Sequence, residues 1–263
     1  MRKDKITSLK RKLNYYYRSF NVEQISPDPL EFLHRYKNRN DIEIAGLISS
    51  VFAYGNVTMI LKSIEKVVVI MGESPYDFVM NYNLKDGEKL FKDVRHRFFT
   101  PRDVAVLFQI LHDVYTKCRS LKYFFLLYYF ENDPNLKDAI SFFSNNLLGI
   151  ASHYGKITNG LKFMFPDPKK GSACKRMNLF LRWMIRKDDI DLGLWTEIPT
   201  SKLVIPVDTH VARISKELGL TKQKTAGWKM AEEITENLKM FDPVDPVKYD
   251  FALCHIGMRK LKM

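Results

Sequence analysis

The sequence predicts an all-α protein organised as two helical lobes. Three observations predict it. Oxygen-bearing residues repeatedly precede proline, apolar positions recur at three- and four-residue spacing, and no clear alternating run or repeat of about 20–50 residues interrupts that pattern. A chain of 263 residues that is 46% hydrophobic can bury a sizeable core and approaches the upper limit for one compact unit, which favours two.

The opening stretch MRKDKITSLKRK carries Arg2, Lys3, Lys5, Lys10, Arg11 and Lys12. Its charge falls where a secretory signal needs an apolar core, so it reads as a basic helix that either extends a nucleic-acid surface or packs on the C-terminal part. Asp28-Pro29, Ser74-Pro75, Thr100-Pro101, Asp133-Pro134 and Asp245-Pro246 each set an acceptor for orphan amides ahead of a proline preset for the first helical position. Each pair announces a helix. Ile44 to Phe52 forms an apolar helix that the loop AYGN, residues 53–56, brings to a stop. There Gly55 can take a left-handed conformation and Asn56 can cap the next helix. VVVIM, residues 67–71, is β-branched but lies in a helical pattern and reads as buried helix. After Pro101, Val104, Leu107, Phe108 and Leu111 trace one helical face. YFFLLYYF, residues 123–130, is too short to span a bilayer, is flanked by charge, and also reads as buried helix.

Lysine and arginine total 42 against 30 acidic residues, a net charge of +12 spread along the chain. That balance favours a polyanionic partner, nucleic acid first, since no amphipathic anchor or lipidation signal stands out. The expected setting is cytoplasmic, away from membranes. Cys118, Cys174 and Cys254 are odd in number and far apart, so neither a disulfide framework nor a four-cysteine metal or iron-sulfur site can be assembled from them.

Residues 166–186, PDPKKGSACKRMNLFLRWMIR, are the most informative segment. Pro166 and Pro168 end the preceding helix, Gly171 permits a tight turn, and Ser172 is a suitable N-cap for the next one. Met177, Phe180, Leu181 and Met184 form its apolar stripe, while Lys175, Asn178, Arg182 and Arg186 share another face. Two helices joined by such a turn make an anion site suited to a DNA phosphate, with Lys169 and Lys170 reinforcing it. Lys175 falls in the first helical turn, where the macrodipole disfavours a cation by roughly 0.3–1 kcal/mol. Either it meets phosphate there, or that field favours the neutral amine that covalent chemistry needs.

IPVDTHVARI, residues 205–214, holds a second ambiguity. Asp208 precedes a helix whose apolar positions Val211, Ile214 and Leu218 end at Gly219. As an N-cap it contributes about 1 kcal/mol, and the amides it accepts from also favour its ionised form. An ionised carboxylate facing a neutral lysine can cleave an N-glycosidic bond, the carboxylate stabilising an oxocarbenium-like sugar while the amine attacks C1′. His210 either orients Asp208 or touches phosphate, or it is simply a surface residue. Arg213 is expected to pair with a nearby acid or with the DNA backbone. Asp188, Asp189 and Asp191 read as a solvated loop.

Together these segments resemble the helix-hairpin-helix DNA glycosylase superfamily, which includes endonuclease III and 8-oxoguanine DNA glycosylase. V-D-T-H-V-A-R-I, residues 207–214, is similar to its catalytic-aspartate segment. GSACK, residues 171–175, is similar to the Gly-x-Gly-x-Lys that ends its hairpin, with Ala173 in place of the middle glycine and Lys175 in the place of the Schiff-base lysine. Over the rest of its length the sequence looks like a poorly characterised prokaryotic family within that superfamily. The resemblance implies a helix-hairpin-helix element and a basic cleft between the two lobes. It also implies a central lobe at 45–190 that includes the hairpin, and a second lobe formed from 1–44 and 191–263. It implies a monomeric enzyme without metal or other cofactor, acting on damaged double-stranded DNA. Lys175 would displace an oxidised base such as 8-oxoguanine from a flipped nucleotide, and β-elimination would then nick the strand. Lys169, Lys170, Gly171, Ser172, His210 and Arg213 would contact DNA. Tyr54 or Asn56 would fill the space that the base leaves. Aromatic candidates for the base pocket, Phe98, Phe99 and Trp183, read equally as core.

The separation of Lys175 from Asp208, 33 positions, is longer than in most members, so residues 186–202 read as an insertion or an extended helix and loop. Lys187 is the rival nucleophile, nearer in sequence but lacking the glycine turn. Two further readings stand beside the enzyme. One is a helix-hairpin-helix DNA-binding protein without chemistry. The other is a metal-dependent phosphohydrolase prompted by His112-Asp113, although the six histidines, at 34, 96, 112, 153, 210 and 255, are scattered.

Overall fold

The computed structural model describes residues 3–19, 23 and 25–259. Arg2 lies outside the described residues, as do the side chains of Lys3, Lys5 and His255. The described chain is helical: α1 (Lys3–Arg18), α2 (Arg39–Phe52), α3 (Val57–Met71), α4 (Pro75–Met80), α5 (Leu84–Leu90), α6 (Pro101–Cys118) and α7 (Leu121–Leu126) come first. They are followed by α8 (Lys137–Ser152), α9 (Asn159–Met164), α10 (Lys175–Ile185), α11 (Thr209–Leu218), α12 (Trp228–Lys239) and α13 (Asp250–Arg259). Among the described residues the extended pairings are isolated bridges, such as His96 with Phe99 and Lys187 with Leu192. No helix of the described chain is long and apolar enough to cross a membrane.

The chain divides into two compact units. A central unit comprises Ser26–Asn132 and Lys137–Asp167, and a terminal unit comprises Met1–Ile25, Asp133–Leu136 and Pro168–Met263. The boundaries therefore fall at 25/26 and 167/168 rather than at 44/45 and 190/191, and the glycine turn belongs with the chain ends. The cause lies in α10, whose arginines are held by carboxylates at 191, 245 and 250.

In the central unit α6 is the axis, with Val104, Leu107, Phe108 and Leu111 fully buried as their spacing requires. Its start is a reciprocal cap: Thr100 Oγ1 accepts from Asp103 N at 3.2 Å, and Asp103 Oδ2 accepts from Thr100 N at 2.8 Å. The other oxygen, Asp103 Oδ1, accepts from the hydroxyl of Thr158, the N-cap of α9. One buried carboxylate thus joins two helix starts. Glu43 of α2 does the same work elsewhere, accepting from Tyr115 Oη of α6 and from Leu121 N of α7, both at 2.9 Å. VVVIM is inside α3, where Val67, Val68 and Met71 are buried. Asn56 caps that helix through Met59 N, while α2 has already stopped at Ala53, two residues ahead of Gly55 (φ +103°).

Several local expectations are corrected. Asp28-Pro29 opens a 3-10 turn, Pro29–Arg35, rather than an α-helix. Asp133-Pro134 opens no helix. That segment is drawn into the terminal unit, where Lys202 Nζ donates to Asp133 O and Asn135 Nδ2 to Glu232 Oε1, and α8 begins only at Lys137. Asp245-Pro246 opens a 3-10 turn, Pro246–Tyr249, and Asp245 makes no cap because its carboxylate faces Arg186. The aromatic run after Lys122 is helical only to Leu126, with Phe124 and Phe125 buried and Tyr123, Leu127 and Phe130 exposed.

Gly160 sits where Asp103 reaches α9. A Cβ built there would lie 2.4 Å from Asp103 Oδ2 and 3.0 Å from the carbonyl oxygen of Phe98. Gly160→Ala is expected to destabilise the chain by about 1–3 kcal/mol through overpacking, read as a lowered urea midpoint. An unchanged midpoint contradicts the packing described here.

Candidate functional site

The terminal unit brings Lys175 and Asp208 together. Val204 to Val207 run extended into Asp208, whose backbone (φ −111°, ψ −171°) leaves its carboxylate beneath the first turn of α11. Asp208 Oδ1 accepts from His210 N and Val211 N, each at 2.8 Å, so this oxygen is fixed by the backbone. Gly219, left-handed at φ +75°, stops the helix as expected. The second oxygen, Oδ2, lies 3.7 Å from Lys175 Nζ and 3.7 Å from Cys254 Sγ. The Lys175 side chain is 32% exposed and that of Asp208 18%, so both are open to a small reagent.

Main-chain geometry places Lys175. After the 3-10 turn Pro168–Lys170, Gly171 takes φ +85° and its carbonyl accepts from Trp228 N at 3.1 Å. The approach is close, since a Cβ on Gly227 would stand 2.8 Å from that same oxygen. Ser172 is not the N-cap. Its hydroxyl accepts from Cys174 N inside the turn, and Cys174, left-handed at φ 47°, occupies the cap position without a side-chain bond. Lys175 is consequently the first residue of α10 and sits at the positive end of its macrodipole.

The face of α10 that had suggested phosphate contact is turned inward. Asn178, Arg182 and Arg186 are buried. Arg182 forms a two-pronged pair with Asp191 (3.1 and 3.0 Å) and donates to Asp250 Oδ2 at 2.6 Å. Arg186 binds Asp191, Asp188 at 2.9 Å and Asp245 at 2.9 Å. Burial opposes these charges, but the carboxylates hold both guanidiniums above their ordinary value and Arg186 holds Asp188 below its own. Asp188 and Asp191 are therefore structural counter-ions rather than a solvated loop. The stretch after them packs as core, with Trp195 buried against Phe180.

Asp250 is the first residue of α13 and is 3% exposed. One oxygen meets Arg182, and the other, Oδ1, is buried with no hydrogen-bond partner. Burial pushes this carboxyl up to about 6; Arg182 opposes the rise, and the charges on Asp208 and Asp191 add to it. Asp250 and Cys254 escaped sequence reasoning. Their signal was the four-residue spacing that puts both on one face of a helix, and α13 packs that helix against α11.

The remaining candidates divide. Lys169, Lys170 and Gly171 are exposed at the turn, and Ser172 is half-buried. His210 lends its amide to Asp208, and Arg213 pairs at 2.9 Å with Glu217 one turn along. Lys187 lies beyond the far end of the 11-residue α10, about 16 Å along the axis from Lys175. In the central unit, Asn56 is an exposed cap. Tyr54 is a half-buried post whose hydroxyl donates to His96 O at 2.8 Å, with its ring against His96, Phe99 and Phe163. Phe98 stacks over Tyr54 and is exposed, whereas Phe99 and Trp183 are core. His112 meets Val79 O, and Asp113 accepts from Gln109 and Tyr154. Among the described residues no three His, Cys, Asp or Glu side chains converge as metal ligands.

A family model described as a protein of unknown function (DUF2400) matches residues 28–259. The chain belongs to that family. The match leaves α1 outside and contains Lys175, Asp208, Asp250 and Cys254, so the DUF2400 region holds the whole carboxylate, amine and thiol group. No curated protein and no solved structure matches the chain.

Two measurements test this geometry. Asp208→Ala is expected to lower stability by about 0.5–2 kcal/mol, and Asp208→Asn by a few tenths, because asparagine also caps; equal losses in urea melts contradict the cap. For Asp250, the carboxyl sits at about 6 when folded against 3.8 when unburied. Such a group favours folding below its unfolded value and loses that contribution as pH rises through its folded value. Between about pH 4 and 7 the wild type should therefore lose stability relative to Asp250→Asn; parallel curves remove the buried acid as the cause.

Proposed function

We propose that the chain is a DNA base-excision glycosylase with associated lyase activity, Lys175 being its nucleophile and Asp208 its charge-stabilising carboxylate. The observation that carries this reading is the approach of Lys175 Nζ to within 3.7 Å of a carboxylate whose other oxygen is fixed by two backbone amides. That distance exceeds a direct hydrogen bond, so the amine is held near the carboxylate without being locked to it. The substrate class is duplex DNA carrying an oxidised base such as 8-oxoguanine. A helix-hairpin-helix element comprising α9, the turn through Gly171 and α10 belongs to the proposal, as does a basic cleft for the duplex.

The chemistry requires the nucleotide to leave the stack, because C1′ is otherwise out of reach. Lys175 Nζ attacks C1′, and the bond from C1′ to the base breaks with its electron pair departing on the base, which takes up a proton. Asp208 stabilises the positive charge that develops on the sugar. The amine loses a proton as the ring opens to an imine, loss of a C2′ proton expels the 3′ phosphate, and water then releases the lysine. Lys169, Lys170 and the amides near Gly171 and Ser172 would bind a phosphate, with His210 and Arg213 beside them. Asn56, exposed at its turn, would fill the vacated stack with Tyr54 behind it.

Borohydride reduction tests the reading on duplexes carrying 8-oxoguanine, an oxidised pyrimidine or an abasic site. The expected result is a covalent adduct that is lost in Lys175→Gln and retained in Lys187→Gln, with turnover reduced at least 100-fold in Asp208→Asn, the order of an electrostatic contribution. Trapping by Lys175→Gln removes the assigned nucleophile. Salt-sensitive binding without any adduct assigns the chain to non-catalytic DNA binding instead.

A further inference from the structure

Asp250 has no place in the mechanism above, yet its surroundings tie it to the same pair. Lys175, Arg182 and Arg186 of α10 face five carboxylates, at Asp188, Asp191, Asp208, Asp245 and Asp250. Cations are outnumbered, in surroundings where Arg182, Arg186, Asp191 and Asp250 are all nearly or wholly buried. Like charges close together in such a medium do not all ionise, and the proton goes to the group with the least support. Asp191 has two arginines, Asp188 and Asp245 share Arg186, and Asp208 has two amides and Lys175. Asp250 has one bond to Arg182 and a second oxygen, sealed from solvent, that nothing satisfies. Tyr17, on α1 beside α13, donates to Asp188 and leaves that oxygen untouched.

We propose that Asp250 and Asp208 titrate as one coupled pair in which Asp250 carries the shared proton, and that the pair, not Asp208 alone, sets the pH at which Lys175 becomes reactive. Asp250 is then a positioning residue acting through charge. While it holds the proton, Asp208 keeps the negative charge opposite the amine. Once Asp250 ionises, a second negative charge holds the ammonium more firmly. The coupling itself is independent of substrate; its use in catalysis rests on the glycosylase reading.

Three readouts separate the two. In carboxyl-¹³C NMR titrations of the wild type, Asp208 and Asp250 should each show two inflections at common pH values, and in Asp250→Asn the second inflection at Asp208 should vanish. In competitive labelling with acetic anhydride read by mass spectrometry, the pH at which Lys175 is half-labelled should fall by about one unit in Asp250→Asn, the scale of one nearby charge. The acidic limb of borohydride trapping should move with it. Single independent inflections, or an unmoved labelling midpoint, overturn the proposal even where the enzyme traps normally. Shifted midpoints with no adduct on any duplex sustain the proposal and sink the glycosylase reading. Should Asp250→Asn fail to fold, the wild-type inflections alone decide.

Discussion

The terminal unit depends on two guanidinium groups that α10 carries into its interior. Arg182 and Arg186 are 2% and 1% exposed, and between them they hold Asp188, Asp191, Asp245 and Asp250. Arginine suits this position because its flat fork satisfies several carboxylate oxygens at once, which a lysine ammonium does not. Breaking such a pair from one side costs about 3–5 kcal/mol, since the abandoned charge stays buried. The network ties α10 to the loop that follows it and to the start of α13. It therefore also fixes the distance between the first residue of α10 and the cap of α11, where Lys175 and Asp208 meet.

Local chemistry was legible in the sequence and distant pairing was not. Asn56, Thr100 and Asp208 cap the helices they precede, and Gly219 ends one, because a cap involves atoms two or three residues away. Ser172 misled for the same reason: its hydroxyl accepts an amide two residues on, as a cap's would, but in a turn that precedes the helix. Arg182 and Arg186 looked like a solvent face because charge at helical spacing says nothing of acids 59 and 68 residues away. The limits of the two units were hidden with them. Asp133-Pro134 carried a helix-opening signature that long-range hydrogen bonds to Lys202 and Glu232 overrode.

The candidate site shows how one arrangement meets a structural and a chemical demand. A cap needs an anionic or polar oxygen held at a helix start, and a group that steadies a forming cation needs the same thing with one oxygen turned outward. Asp208 satisfies both, Oδ1 toward the amides and Oδ2 toward Lys175 and Cys254. The aspartate was therefore easy to find as a cap and hard to recognise as anything more. Membership of the DUF2400 family supplies kinship over most of the chain, and the assignment of chemistry rests on the side chains themselves.

The contact between Gly171 and Gly227 bears on which positions can drift. The turn ahead of Lys175 is anchored through a carbonyl oxygen and a bare α-carbon, so its position is set by main chain alone. Ser172 and Ala173 can exchange for other small residues without moving the lysine. Gly227, more than fifty residues downstream and remote from any charge, cannot accept even a methyl group without pushing that turn aside. Among relatives, this silent glycine should be as resistant to replacement as the residues that carry charge.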